Sequence, residues 1–151
     1  MAPSPVRPVP YDHPDALRLI TAMGDEIAAR YGDGGLSPAA PQEFSPPGVF
    51  LLVELDGAAV GCGGVRPRGA DEGELKRMYV DPAARGRGLA RTLLSALVAH
   101  ARDAGMLRLL LETGTEQPEA IALYESERWQ PVPAFGYYAA DPRTRCYGLD
   151  L

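Results

Sequence analysis

The sequence predicts a mixed α/β domain in which an antiparallel meander of strands runs into a β-α-β unit. Two observations carry this. Three runs, 49–55, 58–65 and 74–80, follow one another with only turns between them, as consecutive antiparallel strands do. The third is then followed by a helical pattern from Leu89 to Ala104 and a short apolar run from Leu107 to Glu112. A crossover of that kind makes its two strands parallel. A third observation points to a ligand: the turn Arg85-Gly86-Arg87-Gly88-Leu89-Ala90 joins strand to helix. The first amides of a helix have no partner within it and the helix dipole favours negative charge there, so a glycine-rich entry suits a phosphate.

The 151 residues correspond to one domain, 1–151, long enough to bury a core. With 46% hydrophobic and 23% charged residues the composition is that of a soluble globular chain. A formal net charge of −5 speaks against a general affinity for nucleic acid. Positive charge is local instead, at Lys76, Arg77, Arg85, Arg87 and Arg91, which suits a small, highly charged ligand. The opening MAPSPVRPVP lacks the apolar segment of a signal peptide, and no stretch approaches the ~18 apolar residues of a membrane span. A cytoplasmic protein with no membrane partner is expected, with Cys62 and Cys146 buried and reduced. His13 and His100 lie far apart and outside any metal-binding spacing, so no metal is expected.

In chain order, Val6 to Tyr11 alternates weakly around Pro8 and Pro10, as an edge or bulged strand does. Asp12 is the expected cap of a helix with Pro14 and Asp15 in its first turn; Leu17, Ile20, Ile27 and Tyr31 fall on one face. Residues 32–48 form a long connection rich in Gly, Pro and Ser, of the kind used as functional lids. Glu26 and Tyr31, beside it, either face a substrate or are a solvated glutamate and a packed tyrosine. Asp56-Gly57 between apolar runs marks a hairpin, and Gly61, Gly63 and Gly64 mark a bulge or close backbone approach. Residues 66–73 read as a turn. The next helix carries Leu89, Leu93, Leu97, Ala101 and Ala104 inward and ends near Gly105; His100 is expected as a hydrogen-bonded core or edge residue. Gln117-Pro118 opens a last helix that stops before Trp129, an expected core residue. Phe135, Tyr137 and Tyr138 then either line an acceptor pocket or close the core, ahead of a terminal strand near 145–149.

Three phosphate-binding patterns compete for the glycine-rich turn. A Walker loop needs Lys-Ser or Lys-Thr, and neither pair occurs. A dinucleotide fingerprint would put Arg91 at its third glycine. Arg/Gln-x-x-Gly-x-Gly/Ala, after a strand ending in Val and a Pro-containing turn, fits Arg85, Gly88 and Ala90. This resembles the acyl-CoA-binding motif of the GNAT superfamily of N-acetyltransferases. A second stretch resembles that superfamily's second signature, with Ala120, Leu123 and Tyr124 in place. Gln117 stands where Asn is usual, and Arg128-Trp129 replaces the common Gly-Phe. A plain strand–turn–helix with solvated arginines is the alternative.

The resemblance implies a GNAT-like fold: an antiparallel N-terminal meander, a parallel pair split open at the centre of the sheet, and flanking helices. It implies that acetyl-CoA lies in that V. Arg85, Gly86, Arg87, Gly88, Leu89 and Ala90 would hold its pyrophosphate, Met78, Tyr79 and Val80 its pantetheine arm, and Gln117 a further contact. The implied activity moves an acetyl group from acetyl-CoA to a small-molecule or peptide amine by direct attack, without a covalent enzyme intermediate, leaving CoA. Tyr124 would meet the leaving sulfur. Glu74, eleven residues before Arg85 where several members carry a general base, would take the amine's proton or else serve as a strand carboxylate paired with Lys76 or an arginine. Glu26, Tyr31, Phe135 and Tyr138 are the candidate substrate contacts. A monomer or a homodimer through the terminal strand is expected. The other functional class is a CoA-binding regulatory module without turnover.

Overall fold

The computed structural model describes residues 5–32 and 35–151. Residues 33 and 34 of the long connection, and the first four of the N-terminal stretch, lie outside the described residues.

The elements follow as β1 (Val6–Pro8), α1 (Pro14–Tyr31), β2 (Val49–Leu55), β3 (Ala58–Arg68), β4 (Glu72–Val80), α2 (Leu89–Asp103), β5 (Arg108–Gly114), α3 (Pro118–Ser126), β6 (Gln130–Pro131) and β7 (Thr144–Asp150). They build one seven-stranded sheet in the order β1-β2-β3-β4-β5-β7-β6. Strands β1 to β4 pair antiparallel in succession, β4 and β5 pair parallel, and β7 returns antiparallel between β5 and β6.

Both faces of the sheet are covered, so its central strands read as apolar runs rather than alternating ones. On one face Leu89, Leu93, Leu97 and Ala101 of α2 pack on Val53, Val65, Leu75, Leu109 and Leu111, with Trp129 closing the cluster. On the other, Ala16 and Leu19 of α1 meet Phe50, Leu52 and Cys62, and Tyr11 stacks on Phe44 at 4.8 Å between ring centres. Each such leucine contributes about 1.5–3 kcal/mol by leaving water.

Several local expectations are corrected. The turn read over 66–73 is mostly strand: β3 continues to Arg68 and β4 begins at Glu72, because Arg66 pairs across the ladder with Glu74. His13, not Asp12, caps α1; its Nδ1 accepts from the Asp15 amide at 3.1 Å. Leu17 is exposed, and the smaller Ala16 sets the buried face with Leu19. The bulge expected from the glycines is present, as a register shift between Cys62 and Gly64. His100 lies at the edge of α2, its Nε2 3.0 Å from the Pro47 carbonyl oxygen.

The sheet opens at its centre. Only Glu72, Gly73 and Glu74 of β4 pair with β5, opposite Arg108, Leu109 and Leu110. Beyond Glu74 the strands part, while β5 stays paired with β7 through Gly114. Arg77 adopts φ +62°, a left-handed conformation that costs a side-chain-bearing residue about 1–2 kcal/mol. Its guanidinium is buried and donates to the Tyr11 hydroxyl (3.1 Å) and the Ser37 carbonyl (2.6 Å), which holds the kink.

Candidate functional site

The V between β4 and β5 has two openings that share Met23, Ile27, Met78, Gln117 and Tyr124. One opening faces the glycine-rich turn. There Gly86 and Gly88 adopt φ +81° and +77°, and a Cβ at either would meet nothing within 4 Å, so the backbone is open to a ligand. Gly88 caps α2 without any side chain bonded to its first amides. Arg85 fastens the turn to the end of β4, its Nε donating to the Val80 carbonyl at 2.8 Å. Its Nη2 lies 2.9 and 3.0 Å from the Glu26 carboxylate oxygens, so Glu26 stands on this side. Met78, Tyr79, Val80, Leu89 and Ala90 line the groove, whereas the Arg87 side chain is exposed outside it. Arg91 also lines it and is ion-paired with Glu127.

Tyr124 is buried from the side of α3, with its ring 5.7 Å from that of Trp129. Burial pushes its phenol well above the ordinary tyrosine value, so it holds its proton throughout the neutral range. Gln117, at the start of α3, accepts a hydrogen bond from the Tyr31 hydroxyl at 3.0 Å. A Cβ at Gly114 would collide with that same hydroxyl, so only glycine lets Tyr31 reach Gln117. Desolvation raises the Tyr31 phenol as well.

The other opening lies on the α1 face of the sheet. A row of alternating charge crosses it from strand to strand. Glu43 meets Arg66 Nη1 at 2.6 Å, and Arg66 Nη2 and Nε lie 3.1 Å from Glu74 Oε1. Lys76 Nζ lies 3.2 Å from Glu74 Oε2, 3.0 Å from Ser37 Oγ and 3.4 Å from Glu112 Oε1. The side chains of Glu74, Lys76 and Glu112 are only 7, 7 and 8% exposed. Lys76 and Glu112 belong to the cavity wall; Glu74 stands behind Lys76. Tyr31 and Tyr138 line the cavity, the latter's hydroxyl donating to the Gly35 carbonyl at 2.6 Å. Phe135 stands apart, beneath the Arg68 guanidinium at 4.5 Å.

The sequence profile of the Acetyltransferase (GNAT) family matches residues 19–128. This chain belongs to that family. It is 39% identical over 127 residues to the uncharacterized N-acetyltransferase YjgM of Escherichia coli K12, covering 76% of this chain and 74% of that protein. It is 43% identical over 94 residues to an IAA acetyltransferase of Azospirillum brasilense, covering 62% of this chain and 61% of that protein. A mycothiol acetyltransferase of Cellulomonas flavigena is 33% identical over 122 residues, but this chain spans only 32% of its length. Among solved structures, a putative acyl-CoA N-acyltransferase from Klebsiella pneumoniae superposes with a TM-score of 0.81 at 34% identity, covering 98% of this chain and 97% of that one. A GNAT acetyltransferase from Elizabethkingia anophelis with acetyl-CoA bound shares the fold, with a TM-score of 0.73 at 13% identity over 98% of both chains.

The sequence reading reached Glu74 of the charged row but passed over Glu43 and Glu112 at its ends. Lys76 is the single lysine in a sequence whose other fourteen basic side chains are arginine. Its compact ammonium reaches both Glu74 and Glu112, and that rarity was the available signal. Glu112 had a signal too, as a carboxylate at the carboxyl end of a β-α-β strand, where ligands bind in open α/β sheets. Ser37, Asp141 and Arg143 line the cavity from loops that carry no pattern.

Proposed function

We propose that this GNAT domain transfers an acetyl group from acetyl-CoA to a primary amine by direct attack, releasing CoA. Tyr124 carries the reading: a protonated phenol stands where the glycine-rich opening and the charged opening of the V meet. The uncapped amides of α2 and the open backbone at Gly86 and Gly88 fit a pyrophosphate. Met78, Tyr79 and Val80 run along the groove where the pantetheine arm would lie, and Gln117 is held by Tyr31 at its end. Acetyl-CoA supplies the thioester, whose acyl carbon an uncharged amine attacks.

The chain's own groups then have two tasks. Tyr124 gives a hydrogen bond or its proton to the departing sulfur. The acceptor's proton leaves toward the Glu74–Lys76–Glu112 array, with Glu74 as the base that acts through Lys76. Strand amides near Met78 would polarise the thioester carbonyl. No helix among the described residues is long and apolar enough to cross a membrane, and Cys62 and Cys146 are unpaired thiols, which fits a reducing, cytoplasmic setting. The test is a turnover screen of acetyl-CoA against an amine panel, reading free thiol. Amine-dependent release is expected; binding of acetyl-CoA without turnover on any amine would leave a CoA-binding module instead.

A further inference from the structure

Glu112 sits in the acceptor-side wall with half of its carboxylate unused. Oε1 faces the Lys76 ammonium at 3.4 Å, while Oε2 is buried and has no hydrogen-bond partner. A buried carboxylate oxygen left unpaired is costly, and a ligand donor relieves that cost. The torsion that turns the carboxylate is broad and two-fold, so either oxygen can be offered to the cavity. Oε2 is packed against Gly136, at φ +83°, where a Cβ would stand 3.0 Å from it, so only glycine leaves the carboxylate its place.

The cations around the same cavity are already engaged. Lys76 is shared by Glu74, Glu112 and Ser37. Arg77 serves Tyr11 and the Ser37 carbonyl, and Arg143 serves Asp141 and the Tyr31 carbonyl. Met23, Ile27, Leu36, Leu75 and Leu111 give the wall an apolar stretch, beside the neutral polar groups of Thr113, Gln117 and Thr144. An incoming ammonium therefore finds an anion with an unpartnered oxygen, whereas an incoming carboxylate finds Lys76, Arg77 and Arg143 already engaged.

We propose that Glu112 holds the acceptor's ammonium, and that the acceptors are primary amines on an apolar stem with no carboxylate beside the nitrogen. This rests on the acetyl-transfer reading above and names the substrate class of that site. Glu112 accepts a hydrogen bond from the ammonium; one proton then passes to the carboxylate array, the nitrogen lone pair forms the bond to the acyl carbon, the carbon–sulfur bond breaks with the pair leaving on sulfur, Tyr124 protonates that sulfur, and the second nitrogen proton, lost as the amide forms, restores the phenol.

Two probes that differ by one carboxylate, 2-phenylethylamine and phenylalanine, test it on the full chain. The wild type should acetylate 2-phenylethylamine with a kcat/KM roughly tenfold or more above that for phenylalanine. Glu112→Gln should raise the KM for 2-phenylethylamine by about tenfold and shrink the preference between the probes, with acetyl-CoA affinity by calorimetry unchanged. Glu112→Asp, which keeps the charge, should keep the preference even if it slows turnover. An undiminished preference in Glu112→Gln, a preference for phenylalanine, or turnover of neither probe by a protein that binds acetyl-CoA overturns the proposal. Failure of the wild type to bind acetyl-CoA would instead remove the acetyl-transfer reading beneath it.

Discussion

Tyr124 and Glu74 divide the proposed chemistry between a buried phenol and a buried carboxylate, and each has a substitution that isolates it. Tyr124→Phe removes one oxygen and leaves the ring against Trp129, so folding and acetyl-CoA affinity should survive. Loss of a hydrogen bond to the departing sulfur should lower turnover by about 10- to 100-fold, or ~1.4–2.7 kcal/mol in the barrier. Full turnover in the mutant would refute the assignment, and a fall in turnover matched by a fall in melting temperature would make Tyr124 a packing residue. Glu74→Gln keeps the shape but removes the charge that Arg66 and Lys76 share. Turnover should drop roughly 10²–10⁴-fold as for a general base, with acetyl-CoA affinity held. Unchanged turnover would return Glu74 to a purely structural ion pair. At this scale legibility was uneven. That Arg85, Gly88, Ala90 and Tyr124 share one groove was legible because each belongs to a motif of fixed spacing along one chain segment. Glu74 and its pairing with Lys76 or an arginine were legible too, but Glu112 was not, because β4 and β5 stay paired only up to Glu74, so where Glu112 comes to face Lys76 is set by where the strands part. The cap at His13 was missed because an imidazole nitrogen can do what the neighbouring aspartate does by composition.

At the scale of elements, α1 ties the two openings of the V together. Glu26 reaches Arg85 in the glycine-rich turn, Tyr31 reaches Gln117, and Met23 and Ile27 line both sides. Glu26 thus places a carboxylate where the resemblance puts phosphates, and both ends of its pair with Arg85 are partly solvated, at 34 and 26% exposed. Such a pair is weak in itself, while the negative charge opposes an incoming anion over several ångströms. Glu26→Gln should therefore tighten acetyl-CoA binding, by about 3- to 10-fold in low salt and less near 0.5 M, where the screening length is only ~4 Å. Titration calorimetry at the two salt concentrations reads this. Weaker binding in the mutant would mean that Glu26 orients Arg85 for the phosphates rather than competing with them. The phase of α1 itself was only half legible: the apolar Leu17 drew the expected face toward itself, whereas the packed contact is made by Ala16, too small to stand out in a hydropathy pattern.

For the molecule as a whole, the two thiols report separate levels of opening. Cys62 lies in β3 beneath α1, beside the bulge, fully buried, and burial pushes its thiol up to about 12. At neutral pH it is almost wholly protonated, and the thiolate is the reactive form. Alkylation of Cys62 therefore requires the sheet and α1 to separate. Cys146 lies in β7 opposite Glu112, with its Sγ 3.9 Å from the Phe135 carbonyl of the loop that leads into that strand. Displacement of that loop is enough to uncover it, without breaking the core. Iodoacetamide labelling followed by peptide mass should show Cys146 modified first and Cys62 only through global unfolding. Acetyl-CoA at about 100 times its dissociation constant stabilises the folded state by roughly 2.7 kcal/mol, so the rapid-closing limit predicts ~100-fold slower labelling of Cys62. The ligand should slow Cys146 far less, because the loop over that thiol carries none of the groups assigned to the pyrophosphate. Equal protection of both thiols would show that the loop opens only when the whole sheet does. Protection of neither would show that acetyl-CoA does not bind the native fold.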